Sequence, residues 1–284
     1  MITDNETNFL YLADCLKKNK YSAFLKRLQN VLDNRIEYDF LPHTKDIWAV
    51  DYMPIQIDAE NFVQFNYNPD YLKPKRFWKS ISDVPKILNE LPNGHKIQVE
   101  KSEIKIDGGN VVRTKDKVIM CDKVFQENPK FTEKTLIKKL EILFKVDKII
   151  FVPWQKEVDV IGHADGMVRF LDDRTVLIND YDYYEELPEF VSSFKASLHN
   201  AGLVWEEMPY NPYDNKSEID ATGIYINYLQ MENVVIVPTF KQEEDDEAIK
   251  FFESKFPNVL SIDSKEISIE GGILNCITWN IKKQ

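Results

Sequence analysis

The groups in this 284-residue sequence best suited to covalent chemistry are its three thiols, Cys15, Cys121 and Cys276, and its four imidazoles. A thiolate attacks electrophilic carbon, and an imidazole can move the protons that such an attack requires. Four short segments set polar residues and glycines beside apolar runs. In Ile269-Glu-Gly-Gly-Ile-Leu-Asn-Cys-Ile-Thr278, Cys276 sits on an apolar strand with Asn275 and Thr278 as polar neighbours. A free thiol is most often a buried packing group, and Cys15 and Cys121 read that way. In Ile161-Gly-His-Ala-Asp-Gly-Met-Val168, His163 and Asp165 are two apart, so an extended segment points both to one side, between glycines that leave room for a ligand. In Asp46-Ile-Trp-Ala-Val-Asp-Tyr-Met-Pro54, Asp51 is either the floor of a pocket walled by Trp48 or a strand-end turn residue. In Ile104-Lys-Ile-Asp-Gly-Gly-Asn-Val-Val112, Asp-Gly-Gly-Asn is a tight turn between strands, from which Asp107 can point inward. One thiol, one imidazole and several carboxylates, each near a strand end, fit nucleophilic catalysis.

The elements that must carry these residues follow one rhythm. Apolar spacing predicts a helix from Thr7 to Asn34 with a break near residues 19–22, then strands at Ile47–Ile57 and Phe62–Tyr67. Ser82-Asp83 caps a helix to Leu91. Lys96–Val99, Ile104–Ile106, Asn110–Arg113 and Val118–Cys121 read as strands, and Thr132 caps a helix to Phe144. Lys148–Val152, Met167–Leu171 and Val176–Asn179 are strands, Pro188–Ala201 a helix, and Val204–Met208, Gly223–Leu229 and Val234–Pro238 strands again. A helix at Asp245–Phe256 and strands at Val259–Ile262 and Ile273–Trp279 complete the chain. Strand, strand, helix, strand thus recurs, without a Pro/Gly/Ser linker, which predicts one α/β domain over residues 1–284. The acidic run Glu243–Glu247 reads as the solvated first turn of a helix.

Bulk properties narrow the function classes. Net charge is −11, which disfavours nucleic acid as a partner. No apolar run reaches the length of a membrane span, and the polar start lacks a secretory signal. Three unpaired cysteines point to a reducing cytoplasm, and the few histidines offer no metal cluster, so neither a metal nor another cofactor is expected. Oligomeric state is open, with a homo-oligomer compatible.

Taken in order, the four segments resemble the motifs of the agmatine deiminase and bacterial-type peptidylarginine deiminase family, of the guanidino-modifying pentein superfamily. The family's Trp-x-Arg-Asp-x-Gly-Pro resembles Trp48-Ala-Val-Asp51-Tyr-Met-Pro54, and its (Glu/Asp)-Gly-Gly-Asn is Asp107-Gly-Gly-Asn110. Its Gly-His-x-Asp is Gly162-His-Ala-Asp165, and its Gly-Gly-x-x-His-Cys-x-Thr resembles Gly271-Gly-Ile-Leu-Asn-Cys276-Ile-Thr278. Val50, Met53 and Asn275 depart from the family's arginine, glycine and histidine. The resemblance implies a pentein-like fan of ββαβ units about a pseudo-fivefold axis.

It also implies deimination of a small cationic guanidino substrate to a ureido product and ammonia. Agmatine is favoured, with arginine and peptidyl-arginine next. In that chemistry Asp51 and Asp165 hold the guanidinium, Cys276 forms a thiouronium adduct, His163 moves protons and Asp107 orients His163. Trp48 walls the pocket, and Asn110 and Thr278 contact substrate. The alternatives are an amidinotransferase of the same superfamily, in which an amine resolves the adduct, and a silent guanidinium binder. A cysteine protease fits less well, because paired carboxylates suit a cation and a peptide oxyanion needs donors.

Overall fold

The computed structural model describes residues 1–92, 97–156, 159–181, 188–212, 215–217 and 219–283. The chain begins with β1 (Phe9–Ala13), α1 (Ser22–Leu32) and β2 (Glu37–Leu41), then α2 (Ala49–Tyr52), β3 (Ile55–Gln56), β4 (Asn61–Gln64), α3 (Val84–Asn89) and β5 (Gln98–Lys101). Next come β6 (Val112–Arg113), β7 (Lys117–Cys121), α4 (Lys123–Glu127), α5 (Glu133–Phe144) and β8 (Lys148–Val152). They are followed by β9 (Val168–Phe170), β10 (Thr175–Asn179), α6 (Pro188–Asn200) and β11 (Val204–Met208). The last are β12 (Leu229–Met231), β13 (Val234–Thr239), α7 (Asp245–Lys255), β14 (Val259–Asp263), α8 (Lys265–Ser268) and β15 (Thr278–Ile281).

These strands form five three-stranded sheets among the described residues, each with one antiparallel and one parallel pairing. In every sheet a helix crosses over between the two parallel strands, as a parallel pair requires. The opening unit borrows its first strand from the other end of the chain: β15 lies antiparallel to β1, from Phe9 opposite Ile281 to Leu12 opposite Thr278. Around the ring α1 packs on β14 and α6 on β8, so each unit leans on its neighbour. Arg169 on β9, almost wholly buried, donates to the Tyr228 carbonyl at 3.1 Å and to Asp4 Oδ2 at 2.7 Å, linking three parts of the chain.

Helix ends follow local chemistry. Thr132 Oγ1 accepts from the Thr135 N–H, and α5 buries Leu136, Leu140 and Phe144 at four-residue spacing. Asp83 Oδ1 caps α3 through the Lys86 N–H. Asp245, in the acidic run, accepts from the N–H groups of Phe240 and Lys241 at the start of α7.

Several sequence expectations are corrected. The predicted helix from Thr7 is a strand first, because all five residues of β1 are buried and a strand covered on both faces shows no alternation. β2, half-exposed and carrying two acids, gave no strand signal. Ile47–Ile57 is not one strand: α2 turns at Asp51, and only Ile55–Gln56 pairs. Ile104–Ile106 makes no ladder, since the Asn128 side-chain amide takes both the N–H and the carbonyl of Lys105. Residues 223–228 and 273–277 are turns that precede β12 and β15. Lys96, at the start of a predicted strand, lies outside the described residues; β5 begins at Gln98.

Candidate active site

Cys276 lies in the turn before β15, not on a strand. The Ile277 N–H donates to the Ile273 carbonyl at 3.2 Å, and the Val50 N–H donates to the Cys276 carbonyl at 3.3 Å, tying this turn to α2. Asn227 Oδ1 is 3.4 Å from both the backbone nitrogen and Sγ of Cys276, and its own carbonyl accepts from the Asn275 N–H. The Asn275 amide donates to Asp165 Oδ2 at 2.6 Å, and Sγ lies 3.7 Å from the same oxygen. Glycine is required at 272: a Cβ there would sit 2.7 Å from the Trp48 ring and 3.0 Å from Sγ.

His163 and Asp165 do not share an extended segment; His163 leads into a 3-10 turn, Ala164–Gly166, that carries Asp165. The imidazole is held between two carboxylates, with Nε2 3.1 Å from Asp107 Oδ2 and Nδ1 3.6 Å from Asp51 Oδ1. Asp51 is fixed in turn by the Gly109 N–H at 3.0 Å, and Asp107 accepts the Tyr71 hydroxyl at 2.9 Å. A Cβ on Gly109 would stand 2.6 Å from His163 Nδ1, so the Gly-Gly turn is what allows this approach.

Charge and burial set the protonation states. Burial disfavours the imidazolium, but Asp51, Asp107 and Asp165 outweigh it and push His163 up to about 10. Burial, with Asp107 and Asp165 beside it, raises Asp51, although His163 and the Gly109 N–H oppose the rise. Burial followed by the charges of Asp165 and Asp51 pushes the Cys276 thiol well above its usual range. The site therefore sets a protonated imidazole and a protonated thiol among three acidic side chains, an arrangement that suits a cation.

A cavity of about 860 Å³ opens over Cys276, His163, Asp165 and Asn227. Its lining also includes Tyr181, Phe190, Tyr210 and Ile219, with Asp159, Asp220 and Lys216 as charged groups.

Of the residues singled out from sequence, Asp51, Asp107, His163, Asp165 and Cys276 converge here, with Trp48 alongside. His163, Asp165 and Cys276 line the cavity, Asp51 and Asp107 stand behind that lining against His163, and Asn110 and Thr278 turn to backbone partners. Asn110 turns to β7, where its amide accepts from the Cys121 N–H at 2.7 Å and donates to the Cys121 carbonyl. Thr278 donates within its own turn, to the carbonyls of Leu274 and Asn275. Both are spent on backbone groups that would otherwise lack partners. Asp70 pairs with Lys123 at 3.0 Å. Sequence reasoning missed Asn227, which lay inside a predicted strand. It also missed Lys123 and Tyr71, whose hydroxyl donates to Asp107.

Five ββαβ units closed into a ring by the first and last strands make this a pentein fold. The chain belongs to the Porphyromonas-type peptidyl-arginine deiminase family, whose model matches residues 4–281. Its fold is similar to that of the agmatine deiminase of C. jejuni, with a TM-score of 0.79 at 18% identity over 99% of this chain and 95% of that one. It is also similar to the DDAH of Pseudomonas aeruginosa, with a TM-score of 0.58 at 12% identity over 97% of this chain and 99% of that one. In sequence it is 25% identical over 211 residues to an agmatine deiminase of Pseudomonas aeruginosa, covering 63% of this chain and 56% of that protein. The chain spans 56–58% of the length of the curated relatives it matches.

Proposed function

We propose that this chain hydrolyses a C–N bond of a guanidinium, releasing ammonia and a ureido product, with agmatine the favoured substrate. The observation that carries this reading is the convergence of Sγ of Cys276 and the Asp165 carboxylate on one cavity, with His163 held between Asp51 and Asp107. The thiol and imidazole supply a nucleophile and a proton carrier. The carboxylates suit a planar cation, which they hold by charge-assisted hydrogen bonds.

In the proposed sequence the guanidinium settles against Asp51 and Asp165. Its charge offsets the fields that keep Cys276 protonated, so the thiol loses its proton to solvent as the cation arrives. The thiolate forms an S–C bond at the guanidinium carbon. The C–N bond then breaks, with His163 donating the proton that lets nitrogen leave as ammonia. The neutral imidazole next takes a proton from water as its oxygen attacks the thiouronium carbon. The S–C bond then breaks as the remaining hydroxyl proton passes to solvent, which restores the thiolate and leaves the neutral ureido product. Asp159 and Asp220 outnumber Lys216 on the cavity wall, which disfavours a carboxylate at the substrate's far end and supports agmatine ahead of free arginine. A working thiol suits the reducing cytoplasm.

Purified protein is incubated with agmatine, free arginine or a blocked arginine peptide, and ammonia and ureido product are measured. Product from agmatine is expected, with turnover falling about a thousandfold or more in Cys276→Ala. Full turnover by Cys276→Ala would end the mechanism. Turnover that requires an added acceptor amine would identify amidino transfer, and tight binding without product a silent binder.

A further inference from the structure

Lys123 opens α4 outside the set of groups assigned to the reaction, yet its side chain is only 2% exposed. Burying an ammonium is costly unless its donors are satisfied. Here Nζ donates to the carbonyls of Val160 at 3.0 Å and Ile161 at 2.8 Å, and pairs with Asp70 Oδ1 at 3.0 Å. The rings of Trp154 and Tyr71 lie 5.2 and 5.3 Å from it. Gly162, with φ of +70°, lets the chain pass the lysine stem, since a Cβ there would come within 2.8 Å of Lys123 Cδ.

Both flanks of this contact lead to the imidazole. Ile161 is two residues before His163. Asp70 precedes Tyr71, whose hydroxyl donates to Asp107 Oδ2, the oxygen that also meets His163 Nε2. One ammonium therefore ties the segment carrying His163 to the turn that orients the carboxylate partner of His163. We propose that Lys123 is a positioning residue for the His163–Asp107 pair, acting through Asp70–Tyr71 on one side and the 160–161 carbonyls on the other. Within α4 its partner is Glu127, at the longer distance of 3.9 Å, while its three closer partners all lie on those two segments.

The inference rests on the deiminase reading only for its kinetic effect, so the test also uses a signal that needs no turnover. In protein carrying isotope-labelled histidine, the Nε2–H resonance of His163 is identified by its absence in His163→Gln. In Lys123→Met it is expected to weaken or vanish. With a guanidine that is turned over, kcat is expected to fall about tenfold and KM to change less than about threefold. Adding Tyr71→Phe to Lys123→Met should then lower kcat no further than the worse single variant, as for residues acting through one path. Should Lys123→Met not fold, Asp70→Asn keeps the lysine on its carbonyls and must weaken the same resonance. An unchanged resonance in a folded variant overturns the proposal, as does an additive double variant. If wild type turns over no guanidine, the deiminase reading fails while the resonance still decides the role of Lys123.

Discussion

Asn227 meets Cys276 at two atoms through one amide oxygen, while its backbone carbonyl receives the Asn275 N–H. Replacing it by alanine removes the acceptor for a buried N–H and frees the thiol to turn away from Asp165. Asn227→Ala is expected to lower kcat by about 10- to 100-fold, read in steady-state assays, with KM for agmatine changing less. His163 makes a prediction of opposite character, about stability. Its folded pKa, about 10, lies above the ordinary 6.5, so the stability from its ion pair with Asp107 is fully present below pH 6.5 and is lost as pH rises through 10, whereas Asp51, raised to about 7, adds its charge only above the lower end of that window. Urea unfolding across that window is expected to show wild type losing stability relative to His163→Gln. Equal slopes would contradict the charged imidazole. The roles of these residues were legible unevenly. A cysteine and a histidine announce themselves by type, whereas an asparagine inside an apolar stretch signals nothing until the turn at 273–277 brings the thiol to it.

At the level of elements, the site is built from turns between strands: α2 for Asp51, the Gly108–Asn110 turn beside Asp107, Ala164–Gly166 for Asp165, and the 273–277 turn for Cys276. Glycine decides how closely these turns can approach. Gly109→Ala would place a methyl 2.6 Å from His163 Nδ1 and 2.9 Å from Asp51 Oδ1, so both groups must shift. A loss of about 100-fold in kcat/KM is expected from a displacement of that size, against only about 1–3 kcal/mol of stability in thermal unfolding. Gly166→Ala has no atom within 4 Å of its new methyl and should unfold close to wild type. The motifs were readable because such turns need Gly, Asp and Asn at set offsets. The helices were readable where a cap met an apolar stripe, as in α5. What failed was the conformation between: five buried residues in β1 match either period, and nothing in the residues from Asp46 to Pro54 distinguishes a single helical turn from a strand.

Across the whole molecule, ring closure and the proposed chemistry depend on the same stretch of chain, because β15 starts two residues after Cys276. Trp279 is central to that closure. Its ring stacks on Tyr11 at 5.3 Å, lies 6.0 Å from Phe62, and its indole N–H donates to the Pro54 carbonyl at 2.8 Å. The terminal strand is thus joined both to β1 and to the second unit. Trp279→Ala removes a buried aromatic together with its hydrogen bond to that carbonyl, a change that typically costs about 3–5 kcal/mol. How that cost appears depends on the architecture. Were the five units stable one by one, the loss would loosen the opening unit alone, and unfolding would split into an early local step and a late one. A closed ring has no free end at which to fray, so the weakened strand should bring every unit down together. Circular dichroism and tryptophan fluorescence of Trp279→Ala are therefore expected to report one coincident transition at lowered denaturant. Protection of Cys276 from alkylation should be lost at that same midpoint, and two separated midpoints would show that the units, and not the ring, are the unit of stability.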